Sequence, residues 1–311
     1  MTTFAETSLP VVYVPESDLG FGYDQKSDNP KDGLYLFGPA DGPSRAEITV
    51  GVVGTVNGIN HFKSWLEKLN RPVLVPPPTK REKTNRPHLS DFPGFQEAFG
   101  VKVDPEQLVC YEIDPVAVEE TTMFENHHEA VARTVNLFLN PVMNHDRNEE
   151  RTVDVWIFVV PEIVFETCRP NAGARRPKAD LKSGEFARAQ KKRSDLPLLA
   201  SVVDESIEDV FDDVADFHRQ IKARMLEIGQ TSQLIRETTL APDNFLNAAG
   251  KPKRGIQDIA SVAWNLATGL YYKTQANPPW KIANMRPGVC YVGLVFKLSV
   301  VRYFETSGRL T

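Results

Sequence analysis

Cysteine is scarce: the 311 residues include only Cys110, Cys168 and Cys290. No CxxC and no Cys/His spacing of the zinc-binding kind accompanies them, which excludes a disulfide framework or a zinc finger and suits a reducing cytoplasm. Long apolar runs are also missing. The longest, Val155 to Val160, is followed by Pro161 and falls far short of the roughly 20 residues that cross a bilayer. The opening stretch MTTFAETSLPVVYVPESD has neither a basic segment nor an unbroken apolar core, so it does not read as a secretory signal, and the expected location is cytoplasmic, away from membranes. Positive charge is not in excess, since 36 Lys+Arg against 41 Asp+Glu leave a formal net charge of -5. A surface for nucleic acid therefore has to be local. No repeat of 20 to 50 residues, GxSxG, P-loop or HExxH is found. The glycines of GVVGTVNG (Gly51, Gly54, Gly58) miss the GxGxxG spacing of a dinucleotide site.

What is present supports an ordinary globular core, with 41% hydrophobic and 25% charged residues. Residues 1–44, rich in Gly, Pro and Asp and including LYLFGP, read as loops and hairpins. EITVGVVGT then reads as a buried strand, followed by a helix whose Ile59, Phe62, Trp65 and Leu66 fall at helical spacing. Six prolines between 72 and 93, mixed with Lys80, Arg81, Lys83 and Arg86, predict a stiff exposed loop. QLVCYEI, HHEAVARTVNLFLN and VDVWIFVVP continue the strand and helix alternation, which implies an α/β fold with a largely parallel sheet.

Beyond it the charge becomes uneven. From Arg169 to Arg193 nine basic residues face only Asp180 and Glu185, followed by an acidic run from Asp204 to Asp216. The basic block is either a solvated loop balanced by those acids or a surface for a phosphate backbone. Val210, Val214, Phe217, Ile221 and Met225 predict a long amphipathic helix that ends near Gly229. QLIRETTL reads as a strand, and a second helix carries the stripe Ile259, Ala263, Leu266 and Leu270. His127 with His128, and Asn144-His145-Asp146, are weak metal candidates, because adjacent helical residues point about 100° apart.

A sharper group is His218 and Lys222, four apart on one helix face, with Gln233 on the following strand and Lys273 at the inward edge of the last helix. Each donates hydrogen bonds and none brings fixed negative charge, which is the set that a terminal phosphate requires.

The succession VWIFVVPEIVFETCRPN, DFHRQIKARMLE, QLIRETTL, WNLATGLYYKTQANPPWKI and CYVGLVFK resembles the MID domain and PIWI entry of short prokaryotic Argonautes. GLYLFGP and EITVGVVGT are similar to the opening of the same proteins. The resemblance implies an N-terminal lead over 1–44, a Rossmann-like MID domain over 45–250, and the truncated start of an RNase H-like PIWI domain over 251–311. It also implies that His218, Lys222, Gln233 and Lys273 bind the 5′ phosphate of a guide strand, with Mg2+ near the first guide phosphates. Where cleaving members have the first aspartate of their acidic tetrad, this chain has Val295, which cannot ligate a metal, so the resemblance implies a non-cleaving protein. The implied partners are a 5′-phosphorylated guide RNA, a complementary DNA target and an APAZ-bearing effector with a TIR, Sir2-like or nuclease domain, acting in prokaryotic defence against invading DNA. Two other readings stay open: an active Argonaute-like nuclease, and an α/β enzyme that binds a phosphorylated metabolite.

Overall fold

The computed structural model describes residues 17–78, 86, 89–170, 172 and 214–283. The basic block beyond Arg169, the acidic run before Asp216, Val210, Val295 and the CYVGLVFK stretch lie outside the described residues.

Near the start, β1 (Leu19–Gly20) pairs antiparallel with β2 (Lys26–Ser27). Helix α1 (Pro30–Phe37) follows. The LYLF segment is therefore helical, correcting the expectation of loops and hairpins. The cause is local: the Asn29 side chain accepts the Lys31 N–H, and Pro30 fits the first helical position.

The sheet proper consists of β3 (Val50–Gly54), β4 (Val109–Glu112), β5 (Val155–Val160) and β6 (Ser232–Arg236), all parallel in the order β4-β3-β5-β6. Every residue of β3 and β5 is buried, which explains why their sequences are apolar without alternation. Val155, Ile157 and Val159 face one core, whereas Trp156, Phe158 and Val160 face the other. Gly51 is obligatory in β3, because a Cβ there would come within 2.4 Å of the Trp156 ring.

The first core is covered by α2 (Val56–Leu69) and α3 (Phe95–Phe99), and Ile59, Phe62, Trp65 and Leu66 are all buried as their spacing predicts. The second lies under α4 (Pro115–Thr122), α5 (His127–Asn148), α6 (Glu162–Thr167) and α7 (Phe217–Glu227). After β6, a single helical turn, α8 (Glu237–Leu240), leads to α9 (Ile259–Thr274), which returns to the first core. Finally β7 (Lys281–Ile282) pairs with β1. The ends of the proline-rich loop are tied together by Val73 and Phe92, which exchange backbone hydrogen bonds of 2.7 and 2.9 Å.

Three expectations are corrected. Among the described residues the long helix starts at Phe217, after Val214: the Asp216 side chain accepts the His218 N–H at 3.0 Å and fixes the start there, leaving Val214 51% exposed. QLIRETTL is strand only as far as Arg236, after which Glu237 turns the chain into α8. The buried face of α9 includes Ala260, Trp264, Ala267 and Tyr271 beside Ala263 and Leu270, while Ile259 is 43% exposed.

Candidate functional site

Among the described residues β6 is an edge strand, and side chains from both helical layers reach it. From one side comes α7. Phe217, Ile221 and Met225 recur every four residues and are buried, and Gly229, at φ +68°, ends the helix. Lys222, next to Ile221, is thereby held half-buried, and its ammonium donates to the carbonyl oxygen of Ser232, the first residue of β6. From the other side comes α9, started by the Asp258 side chain on the Ser261 N–H at 2.9 Å. The Trp264 indole pins it by donating to the carbonyls of Ser90 and Asp91 at 3.2 and 3.1 Å. Lys273 falls in its last turn, half-buried.

Between the two helices stands Gln233, whose Oε1 lies 4.0 Å from the position a Cβ would take on Gly269 of α9, and whose amide donates to the Leu234 carbonyl at 3.0 Å. Burial pushes the Lys222 ammonium below its ordinary pKa, and Lys273 lowers it further. Lys273 is itself lowered by burial. His218 remains exposed as a residue, yet partial burial of its ring and then the Lys222 charge bring it below its ordinary value, with Asp216 opposing. Among the described residues neither lysine forms an ion pair with a carboxylate. Two partly desolvated cations are thus left without a carboxylate partner, an arrangement that disfavours the free protein and that an incoming dianion would relieve.

A cavity of about 870 Å3 extends along β6. His218 and Gln233 line it, whereas Lys222 and Lys273 do not. Its wall carries three guanidinium groups, Arg169, Arg236 and Arg254. Arg169 and Arg236 stack on the Phe165 ring at 4.0 and 3.3 Å from its centroid. The Nε atoms of both arginines are buried without a hydrogen-bond partner, while Arg236 donates to both Glu162 oxygens at 2.7 and 2.8 Å. Arg236, Arg254 and Phe165 were not singled out from the sequence. The run Lys251-Pro-Lys-Arg254 was a visible basic signal, but Arg236 is hidden within a strand-like stretch.

The residues at this site offer no cage for a divalent cation. Among the described residues no group of three or more His, Cys, Asp or Glu side chains converges, and Asp216 is engaged as a helix cap. The expected Mg2+ does not fit the protein donors alone. His127, whose Nε2 lies 3.1 Å from the Thr167 carbonyl oxygen, and the buried His145, bonded to Tyr111, are structural. Among the described residues no helix is long and apolar enough to cross a membrane.

No family model matches the chain, and no curated protein matches it.

Proposed function

We propose that the edge of β6 anchors the 5′ phosphate of a guide strand, through His218, Lys222, Gln233 and Lys273, in a Rossmann-like MID domain of a short prokaryotic Argonaute. The observation that carries this reading is the convergence of Lys222 and Lys273. They belong to helices on opposite faces of the sheet, yet Lys222 reaches the Ser232 carbonyl beside Gln233, and Gln233 lies against Gly269 of α9, one turn before Lys273. The Lys273 charge lowers the Lys222 ammonium, and among the described residues neither lysine has an ion pair with a carboxylate. A phosphate dianion is the ligand that such a pair favours. Gln233 supplies a neutral donor beside it, and His218, neutral when free, gains a proton as negative charge arrives. Arg169, Arg236 and Arg254 extend the positive surface along the cavity.

On this reading the protein is a non-cleaving, guide-directed recognition module. Its partners are a guide RNA, a DNA target and an APAZ-bearing effector that supplies the enzymatic step. The start of an RNase H-like PIWI domain belongs to the same proposal.

The test is direct binding of a 5′-phosphorylated against a 5′-hydroxyl oligonucleotide. The phosphorylated strand is expected to bind at least tenfold more tightly. Replacing both Lys222 and Lys273 by Ala removes two charge-assisted contacts of about 1.5–3 kcal/mol each, equivalent to roughly 100-fold or more in affinity. Equal affinities for the two strands would sink the proposal. Retention of a phosphorylated mononucleotide with no preference for an oligonucleotide would point instead to an enzyme for a phosphorylated metabolite.

A further inference from the structure

At the carboxyl ends of β3 and β5 the chain leaves the sheet towards opposite faces, into α2 after β3 and into α6 after β5. Parallel sheets open a ligand crevice at such a switch point. Here it is a cavity of about 560 Å3, the size of a small molecule. Residues following all four strands wall it: Thr55 and His61 after β3, Glu119 in α4 after β4, Glu162 after β5 and Glu237 after β6.

In most doubly wound sheets the helix start after the first strand holds a ligand phosphate on amides exposed by glycines. In this chain a carboxylate of the protein itself takes that place. Gly58, in the first turn of α2, lacks a Cβ that would stand 2.9 Å from Val159 Cγ1 and 3.0 Å from Glu237 Oε1. The Glu237 carboxylate therefore reaches the helix start, where it accepts the Thr55 hydroxyl at 3.1 Å. The Gly58 N–H, which could have met a phosphate, donates to Thr55 Oγ1 at 3.1 Å. Glu237 is only 7% exposed. Burial holds its carboxyl above the ordinary range, with the Thr55 hydrogen bond opposing. Glu119 adds a further carboxylate, and Glu162 a third whose two oxygens are held by the Arg236 guanidinium from the neighbouring groove; no Lys or Arg is among the described lining residues. His61 is kept below its ordinary pKa by burial and meets Phe245 edge-on, with ring centroids 6.4 Å apart.

We infer that this crevice is a second ligand site, separate from the β6 groove, and that it takes a small organic cation, an amine or guanidine compound carrying no phosphate. Its charge meets Glu237 and Glu119, its N–H groups meet their oxygens and the Asn57 and Asn244 side-chain oxygens, and its body rests against Phe245. The built-in Glu237 carboxylate repels a phosphate from the place where a nucleotide would otherwise dock.

The experiment is a calorimetric and NMR titration of the full chain with putrescine, methylguanidine and inorganic phosphate. Saturable one-to-one binding of at least one cation at millimolar concentration is expected, with phosphate failing to compete. Glu237→Gln keeps a partner for Thr55, and Glu119→Gln alters an exposed side chain, so both variants are expected to fold. Each should weaken the cation at least fivefold, while Lys222→Ala with Lys273→Ala leaves it unchanged. Phosphate competition, absence of saturation by both cations, or wild-type affinity in both glutamine variants would overturn the inference. Because the lysine variant reports on the proposed phosphate site at the β6 edge alone, failure at one site is distinguishable from failure at the other.

Discussion

The β6 groove and the switch-point crevice belong to the same four-stranded sheet and carry opposite charge. Three arginine side chains gather along the groove, whereas three glutamates line the crevice. The overall charge of -5 anticipates neither. The difference comes from topology. An edge strand is open to cations from two helical layers. The loops at a switch point instead lead into helix N-termini, whose dipoles favour carboxylates. Arg236 and Glu162 stand where the two cavities adjoin, one side chain on each wall, with exposures of 17% and 15%.

The largest expected effect tests that wall. Arg236→Ala or Glu162→Ala leaves a poorly solvated charge without its partner and is expected to destabilise the protein by about 3 kcal/mol in urea unfolding. The double variant should lose clearly less than the sum of the two. Simple additivity would show that the pair does not join the cavities.

A smaller effect separates the two sites by pH. Lys222 and Lys273 both have pKa values below the ordinary 10.5, so their charge is lost at lower pH than for a free lysine. Affinity for a 5′-phosphorylated strand should fall as pH rises from 7 to 10, by about tenfold for each charge lost. An affinity that stays flat over this range, measured by fluorescence anisotropy, contradicts the paired-lysine geometry.

The smallest effect lies at Glu237. Its folded-state pKa is raised, so its stabilising contribution is full below the unfolded value and is lost as pH rises through the folded one. Glu237→Gln should remove that loss, making the variant gain stability relative to wild type between pH 4 and pH 8. Parallel profiles in thermal unfolding would show that the carboxyl is not buried as described.

The sequence made some of this legible. The apolar runs of β3 and β5 and the spacing of Ile59, Phe62, Trp65 and Leu66 reveal strand and helix directly, because burial on both faces or on one leaves a periodic trace. The start of α7 is obscured because Val210 and Val214 continue the helical spacing, whereas a single cap at Asp216 sets the start at Phe217. The face of α9 was misread because Ala260, Ala263 and Ala267 give no strong preference for either register. That His218, Lys222, Gln233 and Lys273 all donate hydrogen bonds and bring no negative charge is legible from residue type. Their relation in space depends on the order β4-β3-β5-β6, which no local pattern encodes. Arg236 on Phe165 and Glu237 on Thr55 are tertiary contacts, and both residues sit in a stretch that reads as one uninterrupted strand.

The bridge between Arg236 and Glu162 also bears on how such a chain can change over time. Loss of the glutamate would add an unneutralised guanidinium to the groove, and loss of the arginine would add a carboxylate to the crevice. Neither cavity can drift in charge without the other registering it. Among descendants of this sequence, positions 162 and 236 should therefore exchange together or not at all.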